Sequence, residues 1–407
     1  MKGFIKVIGP GLLFAGASIG VSHLVQSTRA GADYGYGLIW ALLLVHLFKY
    51  PFFQFGPRYA LATGENLLDG YRRLGKSVLI IYFILTFCTM FTIQTAVTIV
   101  TAGLASRLFG FSDDAVLWSM VITLVCLLIL IIGRYSLLDR FIKFVIAILA
   151  LSTLFAVFFA SANSQGVSDF TQILPGDTAG IAFLIAFMGW MPAPLDISVW
   201  HSLWAIEKKN NQPAYNLKAA IKDFNFGFAG AIILGVCFVA LGALVMYGTG
   251  EKFDNSAIGF ASQLITMYTN SLGEWTYVII ALAAFTTMFS TTLTTLDASP
   301  RAMAHTSKLF FGKYIKHSYI FWMGTLVVGT CGILFFFLSE MKLLIDIATI
   351  LSFVTAPFYA IANYVLITSS HTPEKHRPGL FMRIMSLTGI LFLISFSIWY
   401  LMTLKVF

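Results

Sequence analysis

The sequence predicts an all-α polytopic membrane protein with about 11 transmembrane helices, built as a 5+5 inverted repeat in which helices 1 and 6 are broken. Of the 407 residues, 58% are hydrophobic and only 11% are charged, and the mean hydropathy is +0.85. Soluble domains of this length do not have such a composition. Apolar runs long enough to cross ~30 Å of hydrocarbon recur along the chain, and polar or helix-breaking residues interrupt two of them.

The apolar runs define the transmembrane segments, numbered here in chain order. They lie at 6–29, 37–60, 77–106, 115–133, 140–161, 178–205, 219–248, 274–298, 318–338, 343–369 and 381–404. The connectors between them are too short to fold separately, so residues 1–407 form a single transmembrane domain. Residues 1–161 make the first repeat, 178–369 the second, and 381–404 an extra helix. Between segments 7 and 8, residues 256–270 predict a short surface helix.

The basic residues predict the orientation, because cytoplasmic loops are enriched in Lys and Arg. One side of the predicted membrane receives Lys2, Lys6, Arg58, Arg72, Arg73, Lys76, Arg134, Arg140, Lys143, Lys208, Lys209, Lys218, Lys222, Arg301, Lys308, Lys313, Lys316, Lys375, Arg377 and Arg383. The other side receives Arg29, Arg107, Lys252, Lys342 and Lys405. We therefore expect a plasma (inner) membrane protein with a cytoplasmic N-terminus and an external C-terminus. The net charge of +8 reflects topology and indicates no nucleic acid partner.

The two interrupted segments indicate where function lies. Segment 1 contains Gly20-Val21-Ser22-His23, and segment 6 contains Pro192-Ala193-Pro194. A helix broken at membrane depth leaves backbone N–H and C=O groups that lipid cannot satisfy. Paired breaks at corresponding positions of two repeats are typical of the binding site of a secondary transporter, whereas ordinary Gly or Pro kinks are the alternative interpretation.

The predicted geometry of the breaks supplies a set of candidate substrate-binding residues. The second half-helices are expected to begin near Ser22 and Pro194, with their positive dipole ends at the membrane midplane. The preceding half-helices offer carbonyl groups at 18–20 and 188–190. The predicted substrate-binding residues are Gly20, Val21, Ser22, His23, Met188, Trp190, Met191 and Ala193.

Several short motifs resemble those of Nramp-type (natural resistance-associated macrophage protein) divalent-metal transporters. They are Gly9-Pro10-Gly11, the block 30–36 (Ala-Gly-Ala-Asp-Tyr-Gly-Tyr), the connector 60–67 (Ala-Leu-Ala-Thr-Gly-Glu-Asn-Leu) and Met191-Pro192. The resemblance covers residues 9–76 densely and the later segments more thinly. It implies the LeuT-type fold and a protein that usually moves Mn²⁺ or Fe²⁺ together with protons.

The chain departs from this family at the motifs that bind metal. The family has Asp-Pro-Gly-Asn in its first helix, so the metal-binding carboxylate and asparagine correspond to Gly20 and His23. The His-Asn that follows Met-Pro in the sixth helix is Ala193-Pro194. A divalent cation at the midplane would therefore lack fixed negative charge to offset its desolvation.

These departures leave three substrate hypotheses. The half-helix N-termini, Ser22, His23 and the Trp190 indole are donors, which favours a small anion such as bicarbonate, moved by ion-coupled alternating access. The alternative is a divalent cation, Mn²⁺ or Mg²⁺, with His23 and Met191 as its ligands. A small organic solute is the second alternative. The simplest structural interpretation of His23 is a helix-end histidine bonded to a carbonyl group.

Ionisable and hydroxyl groups inside the segments are the candidates for ion coupling. Lys49 lies mid-way along segment 2, where a lysine is a functional candidate by default, and Asp196 is its expected partner. The alternative for Asp196 is a charge placed at a helix N-terminus. Segment 8 carries Ser290, Thr291 and Thr294, and LeuT-type folds that use Na⁺ bind it between the first break and hydroxyls of the eighth helix. Back-bonding to their own helix is the alternative role of these hydroxyls.

Coupling to Na⁺ is slightly favoured over H⁺, and a bound Na⁺ is the one cofactor considered. In segment 8, Thr291 shares a helix face with either Thr294 or Thr295. Asp346, Thr349, Ser352 and Thr355 form a polar stripe in segment 10 that is expected to face the transport pathway or a helix interface.

Other functional classes lack their motifs in this sequence. The chain has no HExxH, GxSxG or Gly-rich phosphate loop, which a membrane enzyme would require, and no channel-type selectivity filter. We therefore expect a transporter, not an enzyme, that binds a small ion within the lipid bilayer and works as a monomer.

Overall fold

The computed structural model describes residues 9–133, 135–163, 169–313, 315–336 and 341–403, and the regular elements in these ranges are helical. The helices are α1 (Pro10–Ser18), a π-helix (Ser22–Ser27), α2 (Thr28–Tyr34), α3 (Ile39–Thr63), α4 (Leu67–Leu74), α5 (Lys76–Phe109), α6 (Ala115–Ile132), α7 (Tyr135–Asn163), α8 (Thr178–Trp190), α9 (Ile197–Asn211), α10 (Leu217–Val245), α11 (Ala257–Leu272), α12 (Tyr277–Phe311), α13 (Ser318–Phe336), α14 (Met341–Thr368) and α15 (Leu380–Thr403).

The eleven predicted segments correspond to these helices. Within the described ranges, eight helices are long and apolar enough to cross a membrane, and they match segments 2–4 and 7–11. Segment 5 is α7, and segments 1 and 6 are each divided into shorter helices on either side of a break. The multi-pass membrane architecture predicted from composition is therefore confirmed.

Segment 8 is longer than the sequence predicts. Helix α12 passes through Pro300 and continues to Phe311, thirteen residues beyond the predicted end at 298. An ion pair between Arg301 Nε and Asp297 Oδ2 (2.6 Å) spans one turn of this extension. Tyr319 donates to the other Asp297 oxygen at 2.5 Å. Helix α12 therefore extends beyond its apolar stretch because the bonds of Asp297 with Arg301 and Tyr319 stabilise the polar turns.

The predicted surface helix at 256–270 is α11, and it is packed rather than lying free. Phe260, Leu264 and Tyr268 are fully or almost fully buried on one of its faces. Tyr268 Oη lies 2.8 Å from Thr153 Oγ1 of α7. The spacing of these three residues gives α11 an apolar face that the neighbouring helices cover.

Segment 1 packs backbone to backbone against α10. A Cβ atom added to Gly31 would lie 2.0 Å from the Val239 carbonyl oxygen, and one added to Gly242 would lie 2.2 Å from that of Thr28. At the other end, the Asp223 carboxylate accepts from Gly11 N at 2.8 Å. Only glycine permits such close approach at these positions, so segment 1 and α10 are in contact along most of their length.

Candidate functional site

The first break lies at Ile19 and Gly20, at the start of the stretch 20–23 that the sequence predicts to be unwound. Helix α1 ends at Ser18, and helical structure resumes at Val21, followed by the π-helix from Ser22. A Cβ atom on Gly20 would lie 3.0 Å from Oγ1 and Cγ2 of Thr291. The missing side chain at position 20 thus allows α12 to approach the break closely.

The second break is longer than predicted. Helix α8 ends at Trp190, and α9 begins at Ile197 rather than near Pro194. Pro194 has no N–H, and its carbonyl group instead accepts from Ile197 N at 3.2 Å in a tight turn. The two breaks lie side by side, since Ser22 Oγ is 3.3 Å from Pro192 O.

A narrow cavity, called here the central cavity, lies between the two breaks. Its lining includes Ser18, Val21, Ser22, Ile93, Val97, Trp190, Pro192, Ala193, Pro194, Trp200, Thr291 and Thr295. It leaves about 20 Å³ for the centre of a water-sized sphere. That is room for roughly one water molecule or one monatomic ion.

Two wider vestibules lie at opposite ends of segment 1. One has about 1420 Å³ of empty space and is lined by charged residues that include Arg29, Asp33 and Asp346. The other has about 760 Å³ and includes Gly9 and Asp297 in its lining. The central cavity lies between them, at the depth of the helix breaks.

Half of the predicted substrate-binding residues line the central cavity. These are Val21, Ser22, Trp190 and Ala193. Gly20, His23, Met188 and Met191 are buried but are not part of its lining. Met191 Sδ is 3.9 Å from Ser27 Oγ of the π-helix. In the part of the chain that the structure describes, no three His, Cys, Asp or Glu side chains form a group that could hold a metal ion.

His23 bonds to the protein instead of facing the cavity. Its Nε2 lies 2.9 Å from Ala231 O of α10. Its Nδ1 lies 2.9 Å from Ser18 O and 2.8 Å from Ser22 Oγ. Both ring nitrogens are therefore engaged, and His23 has the helix-end role that the sequence left as its simplest interpretation.

Several polar groups around the central cavity present acceptors. The hydroxyl hydrogens of Ser22, Thr291 and Thr295 and the indole hydrogen of Trp190 are used by protein acceptors, and the three hydroxyl oxygens keep lone pairs for a bound species. These bonds are Ser22 Oγ to Ser18 O (2.6 Å), Thr291 Oγ1 to Thr287 O (3.2 Å), Thr295 Oγ1 to Gln94 Oε1 (2.6 Å) and Trp190 Nε1 to Ser352 Oγ (2.8 Å). Among the described lining residues, Ser18 Oγ and Trp200 Nε1 are buried donors without a hydrogen-bond partner.

Lys49 binds the end of α8. Its Nζ donates to Met188 O at 2.8 Å and to Gly189 O at 2.7 Å, with Ala193 O at 3.4 Å. An ammonium group at a helix C-terminus is favoured by the helix dipole. The expected pairing with Asp196 is wrong as a direct contact, because no ion pair within 4.0 Å joins these two described residues. The carbonyl groups at 188–189 that were expected to face substrate bind Lys49 instead.

The other predicted coupling residues do not converge on one point. Asp196 lines a small cavity beside the central one. Thr294 lies in the vestibule that contains Asp297, whereas Thr291 lies in the central cavity. Ser290 is buried outside these cavities. The sequence predicted that Thr291 pairs with either Thr294 or Thr295. In the structure, Thr291 and Thr295 both line the central cavity, whereas Thr294 does not.

Sequence reasoning missed two polar contributors to this site. Gln94 lies in the middle of apolar segment 3 and accepts from Thr295. Trp200 lies one turn into α9 and lines the central cavity. The sequence could have identified Gln94 as a candidate, because an amide side chain in the middle of an apolar segment requires polar partners.

Comparison with known proteins identifies the family. An uncharacterized protein of Pasteurella multocida, PM0681, is 35% identical over 399 residues, which are 96% of this chain and 90% of that protein. The divalent metal cation transporter MntH of Staphylococcus aureus is 24% identical over 260 residues, 60% of this chain and 56% of that protein. A crystal structure of a mutant of the Eremococcus coleocola manganese transporter matches with a TM-score of 0.76 and 13% identity, covering 97% of this chain and 86% of that one.

This structural match confirms the LeuT-type fold that the motif resemblance implied. The family model described as natural resistance-associated macrophage protein-like matches residues 11–403, nearly the whole chain. The chain belongs to the Nramp family of transporters.

Proposed function

We propose that this protein is a secondary transporter that moves a divalent metal cation, such as Mn²⁺ or Mg²⁺, by alternating access. One observation carries the choice of a cation: the hydroxyl and indole hydrogens of Ser22, Thr291, Thr295 and Trp190 are used within the protein. The central cavity therefore offers oxygen acceptors, which suit hard divalent cations. The anion hypothesis counted Ser22, His23 and Trp190 as donors to substrate, and all three donate to protein groups.

The size of the cavity is compatible with a cation. Its space for about one water-sized sphere fits a monatomic ion. The name of the MntH relative, a divalent metal cation transporter, agrees with the proposal.

Bicarbonate is the second candidate, favoured by one specific observation. The lining of the central cavity contains no carboxylate, and Ser18 Oγ and Trp200 Nε1 are buried donors without a partner in the described structure. A carried anion would benefit from these two groups.

An uptake panel in proteoliposomes tests the choice of substrate. We expect saturable uptake of Mn²⁺ or Mg²⁺ and no substrate-dependent alkalinisation when bicarbonate is added outside. Protein-free liposomes made from the same lipids correct for leakage. Bicarbonate-driven alkalinisation without saturable metal uptake would establish the second candidate instead.

Coupling to Na⁺ or H⁺ is part of the proposal, and Thr291 and Thr295 are its test. Changing both to valine keeps their shape and removes two oxygen atoms from the central cavity. We expect the stimulation of uptake by a Na⁺ or H⁺ gradient, measured as the ratio of uptake with the gradient to uptake without it, to fall about tenfold or more, since each lost ligand to a cation costs on the order of 1 kcal/mol. Thr286→Val is the matched control, because Thr286 back-bonds to Leu282 O on the same helix. Unchanged gradient dependence in the double variant would exclude these hydroxyls from coupling.

The remaining features of the proposal concern placement. We propose a cytoplasmic N-terminus and an external C-terminus in the plasma membrane, on the strength of the Lys and Arg distribution. The repeats 1–161 and 178–369, the extra helix 381–404 and a monomeric functional unit belong to the same proposal. Both repeats open with a broken helix, which supports this division.

A further inference from the structure

A second small cavity adjoins the central cavity and shares Ile93 and Pro194 with it. It leaves about 10 Å³ for the centre of a water-sized sphere, space for a single small ion or water. The polar residues of its lining are Asp196, Thr89, Ser352, Thr355 and Tyr359. They come from α5, α14 and the turn before α9, so three parts of the chain meet here.

Asp196 brings a carboxylate into this cavity with an oxygen atom that has no partner. The residue is only 4% exposed, and its Oδ1 has no hydrogen bond in the described structure. Its side chain does not cap α9, although it occupies the N-cap position. Lys49 does not pair with it, since the three protons of that ammonium group are directed at backbone carbonyl oxygens. A buried carboxylate oxygen without a partner is costly, so the site is incomplete as it stands.

The hydroxyl groups around Asp196 also act as acceptors toward the cavity. Thr89, Ser352 and Thr355 each donate their hydrogen to the carbonyl group one turn back on their own helix, which leaves oxygen lone pairs available. These bonds are Thr89 Oγ1 to Leu85 O (2.9 Å), Ser352 Oγ to Ala348 O (2.7 Å) and Thr355 Oγ1 to Leu351 O (2.8 Å). One carboxylate with several neutral oxygen atoms is a ligand set for a hard cation.

We propose that Asp196, with Thr89, Ser352 and Thr355, forms a second site for the divalent cation beside the central cavity. The site rests on the proposed function, and it supplies the carboxylate that Gly20 does not provide. A cation that enters the central cavity lies next to this negative charge, since Ile93 and Pro194 line both cavities. The negative charge of Asp196 thereby offsets part of the cost of desolvating a dication. Gly20 has no side chain and does not contribute to this.

The polar stripe of segment 10 supplies two of the residues of this site. Ser352 and Thr355 are three residues apart on α14 and face the same cavity. Trp190, at the end of α8, donates to Ser352 Oγ and so connects the two cavities through one side chain. A cation bound at Asp196 would lie close to this indole, which provides a direct optical signal.

Binding of Mn²⁺ and Mg²⁺ to the detergent-solubilised full chain tests the site without requiring transport. Calorimetry gives the affinity, and quenching of tryptophan fluorescence by paramagnetic Mn²⁺ gives a local signal. We expect Asp196→Asn to weaken binding about 100-fold, because it removes the only charged ligand of the site while keeping its shape. Thr355→Val should weaken binding about tenfold. Asp69→Asn is the control, since Asp69 bonds to Asn66 and His305 away from both cavities, and it should stay within threefold of the wild type.

The outcomes separate the two proposals. If the wild type binds and transports neither Mn²⁺ nor Mg²⁺, the proposed function itself is overturned. If the wild type binds and transports a metal while Asp196→Asn and Thr355→Val bind it with wild-type affinity, the Asp196 site is overturned and the function stands. If Asp196→Asn does not fold, Thr355→Val decides alone: weakened binding supports the site, and unchanged binding overturns it.

Discussion

Replacing Lys49 with methionine should reduce ion uptake by about 100-fold or more. Methionine keeps an unbranched apolar stem but removes the N–H groups that hold Met188 O and Gly189 O at the second break. Each buried carbonyl group left without a donor costs about 1–3 kcal/mol, so the two together cost about 2–6 kcal/mol, a range that contains the roughly 2.7 kcal/mol of a hundredfold change. The measurement is the initial uptake rate per reconstituted protein, together with the thermal unfolding midpoint, which should also fall.

Lys222→Met provides the comparison for Lys49. Lys222 is exposed near the start of α10, so the same chemical change there should leave both uptake and the unfolding midpoint within error of the wild type. Full activity of Lys49→Met would mean that the second break holds its shape without the ammonium group, and the role assigned to Lys49 would be wrong.

Gly189→Ala should severely reduce the amount of folded protein. A Cβ atom at this position would lie 2.1 Å from the backbone oxygen of Thr349, so α8 and α14 would have to separate. Overpacking against rigid backbone costs about 1–3 kcal/mol or more, and it would also disturb the carbonyl groups that Lys49 binds. We expect the melting midpoint of the solubilised protein to fall by about 5 °C or more, with a larger aggregated fraction in size-exclusion chromatography.

Gly230→Ala makes the same substitution inside α10 where a Cβ atom would have nothing within 4 Å. It should be neutral or stabilising by up to about 1 kcal/mol, because alanine restricts the unfolded chain. A Gly189→Ala protein as stable as Gly230→Ala would show that α8 and α14 tolerate separation, contrary to the packing described.

The membrane spans could be predicted because lipid leaves an apolar run of sufficient length few alternatives to a helix. The positions of the breaks were readable for a related reason, since Pro192 and Pro194 lie two residues apart and Gly20 precedes the polar Ser22 and His23. A single proline such as Pro300 leaves its helix continuous. The extension of α12 to Phe311 was not readable. It depends on the bonds of Asp297 with Arg301 and Tyr319 beyond the apolar run, which hydropathy does not register.

Whether the site presents donors or acceptors was harder to predict, because the sequence shows which side chains can donate but not which groups they bond to. Ser22, His23 and Trp190 were each counted as available to an anion. In the folded chain, His23 meets Ala231 O, 208 residues away, and Trp190 meets Ser352, 162 residues away. Long-range contacts of this kind decide whether a polar side chain faces a substrate or the protein, and no local pattern reveals them.

The close packing of segment 1 on α10 has a consequence for motion. Gly31 and Gly242 bring the two backbones into contact, Asp223 bonds to the start of α1, and His23 bonds to Ala231 across the middle. Two helices interlocked at three levels cannot slide past one another, so they must travel as one rigid body. Any widening of the central cavity must then come from its other walls, which are formed by α5 and α12 on one hand and by the second break with α9 on the other. The hinge of this transporter is therefore to be sought between those walls and the paired unit of segment 1 with α10.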